Sequence, residues 1–177
     1  MIFLVTGGRS FGCSKGNDGK LIVNMSERNY IYDVLDAVCG DHPFITLRHG
    51  DCPTGADRVA DAWAKRRGHD RDPHPAKWNA FGKIAGPMRN QQMIDKEPRV
   101  SLCIAFPGGD GTADCVARAV AADIPVFEAR YDKPDKAVCK EKKPVVLSAK
   151  SHKRKRNERA RSEERRVGNE RAPGFDF

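Results

Sequence analysis

The chain has 177 residues, enough for one domain and a tail, with 39% hydrophobic and 32% charged residues. No apolar run approaches the roughly 18 residues of a membrane span. Met1 to Thr6 lacks the basic flank and apolar length of a signal peptide, so a cytoplasmic protein without a membrane partner is expected. The net charge of +8 is unevenly spread, with 22 Lys/Arg against 19 Asp/Glu in residues 1–149 and 10 against 5 in residues 150–177. The basic character therefore gathers in the tail.

In chain order, Ile2 to Val5 is a short apolar run that predicts a buried parallel strand, followed at once by Thr6-Gly7-Gly8-Arg9-Ser10. Phe11 to Asn24 is rich in Gly, Asn, Asp, Ser and Lys and reads as a loop. Ser26 is the expected N-cap of a helix carrying Tyr30, Ile31, Val34, Leu35 and Val38 at helical spacing, stopped by Gly40-Asp41-His42-Pro43. Phe44 to Leu47 predicts a second strand, and His49 to Asp57 a second turn of glycines and short polar residues. A helix follows with Val59, Ala60, Trp63 and Ala64 on one face and Gly68 just past its end. His69 to Pro75 is polar and is expected to be a short edge strand if it is a strand. The next helix is expected to begin near Pro87, to use Met88, Gln92 and Met93, and to end before Pro98.

Val100 to Phe106 is the next apolar run, and Pro107-Gly108-Gly109-Asp110-Gly111-Thr112 follows it directly. A helix with Val116, Ala119 and Val120 on one face comes after, then Ile124 to Phe127 as a last strand. Strands alternating with helices predict an α/β sheet. This body is expected to span 1–130, and 131–177 reads as a basic, disordered tail in which Val145-Val146-Leu147 is the one strand-like stretch. Arg161 to Glu170 resembles an in-frame translation of a widely used DNA sequencing adapter, so the natural chain is expected to end or diverge near residue 160. The six cysteines have no two members two to four residues apart. Zinc sites need such pairs, so buried thiols and no metal are expected.

The motifs from Val5 to Pro125 together resemble a known family. They are Val5-Thr-Gly-Gly-Arg9, His49-Gly50 with Gly55-Ala56-Asp57, Ala62-Trp63-Ala64, Pro75-Ala76-Lys77-Trp78, Gly82 to Asn90, Met93, and Ala105 to Asp114. The pattern is similar to the YspA-type, cpYpsA-related branch of the SLOG superfamily, kin to the Smf/DprA DNA-processing proteins and the LOG phosphoribohydrolases. The resemblance implies a Rossmann-like three-layer α/β sandwich with a mainly parallel sheet, and a nucleotide or nucleotide-derived ligand. It also implies homo-oligomers. LOG enzymes carry a glutamate three positions after the Thr of Pro-Gly-Gly-x-Gly-Thr. Here that position is Cys115, with Asp114 one residue earlier, a rotation of about 100° on a helix.

Parallel α/β sheets gather their strand-to-helix turns along one edge, where ligands bind. Gly7, Gly8, Gly50, Gly55, Gly108, Gly109 and Gly111 are therefore expected to line one rim, with backbone N–H groups and the Thr112 hydroxyl turned to a phosphate. Arg9 offers a planar fork for phosphate, or forms a surface salt bridge. Arg89 offers a phosphate partner and Asn90 a reader of base or ribose, or the two cap and pack their helix. Asp57 and Asp114 are the candidate catalytic carboxylates; each can instead favour its helix dipole or touch ribose. Trp63 is assigned to the core, and Trp78 is the better stacking candidate or, beside Pro75-Ala76, simply covers the core. Lys83 and His49 carry weaker signals.

The leading expectation is binding of a nucleotide or ADP-ribose-like molecule, as a sensor or sequestering protein, with no cofactor. The alternative is an N-glycoside hydrolase that splits base from ribose phosphate, which needs a carboxylate near the sugar and a positioned water. The third reading is nucleic-acid binding through the basic tail.

Overall fold

A computed structural model describes residues 1–40 and 42–132. The residues from 133 onward, with Val145-Val146-Leu147 and Arg161 to Glu170, lie outside the described residues. The elements in order are β1 (Ile2–Thr6), β2 (Cys13–Lys15), β3 (Leu21–Val23), α1 (Met25–Cys39), β4 (Thr46–His49), α2 (Gly55–Arg67), β5 (Asp70–Pro73), α3 (Trp78–Phe81), a 3₁₀ turn (Gly82–Ile84), α4 (Ala85–Asp95), β6 (Leu102–Ala105), α5 (Asp110–Ala121) and β7 (Val126–Glu128).

Five strands form one parallel sheet in the order β5-β4-β1-β6-β7. β1 is central, and alternate residues face opposite layers, as strand geometry requires. Phe3 and Val5 pack against Ile31, Leu35, Ala60 and Trp63 of α1 and α2. Ile2 and Leu4 pack against Met93 and Ile94 of α4 and Cys115 and Ala119 of α5. The result is a Rossmann-like three-layer α/β sandwich. The chain winds outward from β1 through β4 to β5, then returns over α4 to β6 on the other side. Its topological switch point lies between β1 and β6.

Several elements differ from the sequence reading. The segment Phe11 to Asn24 holds an antiparallel hairpin, with Cys13 opposite Val23 and Lys15 opposite Leu21. Its strands have three residues each and Leu21 to Val23 are all exposed, so no buried alternation marks them. The N-cap of α1 is Asn24 rather than Ser26. The Asn24 Oδ1 accepts from the backbone N–H of Ser26 at 3.1 Å and of Glu27 at 3.3 Å.

The second strand runs two residues later than its apolar run, and Phe44 is 87% exposed. Arg48 and His49 take the buried places instead, because both have polar partners. Arg48 donates to Asp72 and to the carbonyls of Met93, Lys96 and Pro98. α4 starts at Ala85, before Pro87, and its buried residues are Ala85, Asn90, Met93 and Ile94 while Met88 and Gln92 are exposed. On α5 the buried pair is Cys115 and Ala119, and Val120 faces solvent. The last strand begins at Val126, with Ile124 buried in the turn before it. Among the described residues no helix is long and apolar enough to cross a membrane.

Candidate functional site

The turns after β1, β4 and β6 meet at the carboxyl edge of the sheet, and hydrogen bonds stitch them together. Gly8 N–H donates to the Pro107 carbonyl at 2.9 Å, and the Gly8 carbonyl accepts from Ala56 N–H at 3.1 Å. Such close backbone contact needs glycine. A Cβ on Gly7 would lie 2.5 Å from that of Ala56, and one on Gly55, whose φ is +75°, would overlap the Gly8 carbonyl and the Arg9 backbone. Gly108 packs against the Thr112 hydroxyl and the Gly8 backbone, while Gly109 and Gly111 have open space where a side chain would start. Thus Gly7, Gly8, Gly55, Gly108 and Thr112 are brought into one rim, with Gly109 and Gly111 beside it on the first turn of α5.

α4 crosses this rim and supplies two side chains to it. Arg89 lies over Gly50, so close that a Cβ there would overlap the guanidinium. Its Nη1 is 3.9 Å from Asp57 Oδ2. The Nε and Nη1 groups of Arg89 are buried with no hydrogen-bond partner among the described residues. Asn90, the next residue, is buried and turns the other way. Its Nδ2 donates to the Gly111 carbonyl at 3.1 Å and to Asp114 Oδ2 at 2.9 Å.

The two candidate carboxylates sit in different surroundings. Asp57 is buried in the first turn of α2 and accepts from Cys52 N–H at 3.4 Å. Burial pushes its carboxyl up from the ordinary value, against the opposing pull of Arg89, His49 and the Cys52 and Gly50 amides. Asp114 is engaged by Arg118 Nε at 2.9 Å as well as by Asn90. Those bonds, Arg118 first, hold its carboxyl below the ordinary value despite partial burial. Asp114 therefore ties α4 to α5. Cys115 is fully buried on the core side of α5, in the cluster that holds Cys103 of β6.

His49 is buried behind the β4 turn. Its Nδ1 accepts from Asp51 N–H at 3.2 Å and its Nε2 lies 3.2 Å from Asp61. It shapes the loop in which Asp51 takes a φ of +51°. That conformation is uncommon away from glycine, though Asp and Asn adopt it more readily than other residues. Trp63 is in the core and donates to Asp36 at 2.8 Å. Trp78 is 45% exposed beside the rim, and Lys83 is exposed. Arg9 is exposed, with its guanidinium carbon 5.0 Å from the centre of the Trp78 ring. Among the described residues no three His, Cys, Asp or Glu side chains gather as they would around a metal ion. Sequence reasoning did not anticipate the Arg9–Trp78 stack or the close approach of Arg89 to Gly50. Both depend on where α3 and α4 lie against the rim.

The fold and rim define a Rossmann-like protein whose glycine turns converge beside a half-buried arginine. The chain belongs to the YspA, cpYpsA-related SLOG family, whose model matches residues 1–81. It is similar to the Gene 61 protein of Mycobacterium phage D29, with 35% identity over 109 residues, covering 57% of this chain and 85% of that protein. Among solved structures it is similar to the Moco Carrier Protein from Chlamydomonas reinhardtii. There the identity is 19% and the TM-score 0.44, over 72% of this chain and 74% of that one.

Proposed function

We propose that this chain binds a nucleotide or nucleotide-derived, ADP-ribose-like ligand at the carboxyl rim of its sheet. The observation that carries the reading is Arg89. Buried donors are nearly always paired, and leaving one unpaired costs about 1–3 kcal/mol. Among the described residues, the Nε and Nη1 of Arg89 are buried without a hydrogen-bond acceptor, and the nearest carboxylate oxygen is 3.9 Å away. A phosphate oxygen is the acceptor that suits a guanidinium fork beside glycine turns. Gly108 to Thr112 add backbone N–H groups at the start of α5, where the helix end favours an anion.

A second reading, N-glycoside hydrolysis, rests on Asp57. A buried carboxyl pushed upward is suited to acid–base work nearer neutral pH. In that reaction water adds to the sugar carbon, the base leaves with a proton, and Asp57 handles the proton. Mass spectrometry of small molecules co-purifying with the full chain tests both readings. Binding predicts a nucleotide-derived species carried by the wild type and lost from Arg89→Ala. Hydrolysis predicts free adenine when the protein is incubated with AMP, abolished by Asp57→Asn. A protein that carries no such species and shows no saturable nucleotide binding would count against both.

A further inference from the structure

The segment Trp78 to Ile84 leaves a large aromatic ring uncovered next to the glycine turns. α3 contains no buried residue, and Trp78 keeps 45% of its surface exposed. Its ring is held from two sides. The edge of its six-membered ring approaches α4 at Gly86, where a Cβ would lie 3.2 Å from Cη2. The Arg9 guanidinium lies over the ring at 5.0 Å. The Arg9 backbone is pinned against Gly55, whereas its side chain is exposed.

These contacts close a ring around the rim. Arg9 leaves the β1 turn and reaches Trp78; Trp78 rests on Gly86; and Arg89, three residues along the same helix, returns to Gly50. Residues three apart share one helix face, and the rise between them is about 5 Å. The helix positions that meet the Trp78 ring and carry Arg89, whose Nε and Nη1 are buried without a hydrogen-bond partner among the described residues, thus lie about one helical turn apart.

We propose that Trp78 and Arg9 form a stacking slot for the planar base of the ligand, which makes this site selective for nucleoside phosphates over sugar phosphates that lack a base. This inference rests on the phosphate-binding reading of Arg89. The base takes the face of Trp78 that Arg9 covers, and a cation–π contact is exchanged for a base stack. The flat guanidinium can stack in turn on the base. A stacked base strengthens binding by about tenfold or more and tolerates different bases, because every base has a π-face.

The test compares AMP with ribose 5-phosphate by calorimetric titration of the full chain, alongside tryptophan emission. The wild type is expected to prefer AMP by about tenfold or more. Trp78→Ala should bring that ratio close to one, and Trp78→Phe should keep most of it. AMP should quench wild-type emission but not that of Trp78→Phe, whose remaining Trp63 is buried. Circular dichroism checks that the variants are folded. Equal affinity for the two ligands in the wild type, or an unchanged ratio in Trp78→Ala, overturns the slot while leaving the phosphate site standing. Failure of both ligands to bind overturns the phosphate site and the slot with it.

Discussion

Asp57 and Arg89 face each other at 3.9 Å, with Asp57 buried and Arg89 half-buried. Burial dominates the carboxylate, so the folded chain holds the Asp57 proton to a higher pH than the unfolded chain, where it leaves near 3.8. The sign follows from linkage. The stability this group contributes is fully present below 3.8, and is lost as pH rises through the raised folded value. Asp57→Asn keeps a neutral side chain of similar shape at every pH. Thermal melts from about pH 4 to about pH 8 are expected to show the wild type losing stability relative to the variant as pH rises. Parallel curves would mean that Asp57 is as comfortable ionised in the fold as out of it. At this scale the sequence was informative about identity and not about partners. Asp114 and Asp57 looked equivalent in the chain, each in the first turns of a helix after glycines. Burial of Asp57 beside Arg89 and the placement of Asn90 and Arg118 around Asp114 separate them.

Among the elements, β4 shows why a buried strand can escape an apolar pattern. Arg48 has no exposed surface, and its guanidinium satisfies Asp72 and three carbonyls at the end of α4. A paired and hydrogen-bonded charge can occupy the interior at a tolerable desolvation cost. Asp72 on β5 is the other half of this arrangement. Burial alone would raise its carboxyl, but Lys96, Arg48 and His74 outweigh that and hold it at about 2. Its folded value is below the unfolded 3.8, so its stabilisation is present above 3.8 and is lost as pH falls toward 2. Asp72→Asn is expected to cost about 2 kcal/mol in urea unfolding near neutral pH, with the difference closing at about pH 2. A cost that stayed the same down to that pH would show that shape, not charge, makes Asp72 matter. The hairpin β2–β3 escaped for the opposite reason: its strands have three residues each, turn-forming residues 16–20 lie between them, and Leu21 to Val23 form an apolar run that stays exposed.

Across the whole molecule, the alternation of strands and helices was legible because each sheet strand except polar β5 lies in or beside an apolar run and most are followed by small residues. The convergence of Gly7, Gly8, Gly55 and Gly108 was legible too, since a parallel sheet sends every such turn to one edge. The side of the sheet on which α4 returns was not legible in local pattern. That crossing sets Arg89 above Gly50 and Asn90 against Gly111. The site thus depends on a long-range arrangement in which Gly50 leaves room for the Arg89 guanidinium. Calorimetric titration of the full chain with AMP, in the wild type and in Gly50→Ala, tests it most directly. A methyl group at residue 50 must displace Arg89. Saturable binding to the wild type is expected, with a loss of about tenfold or more in affinity in the folded variant. Equal affinity in the two proteins would contradict it.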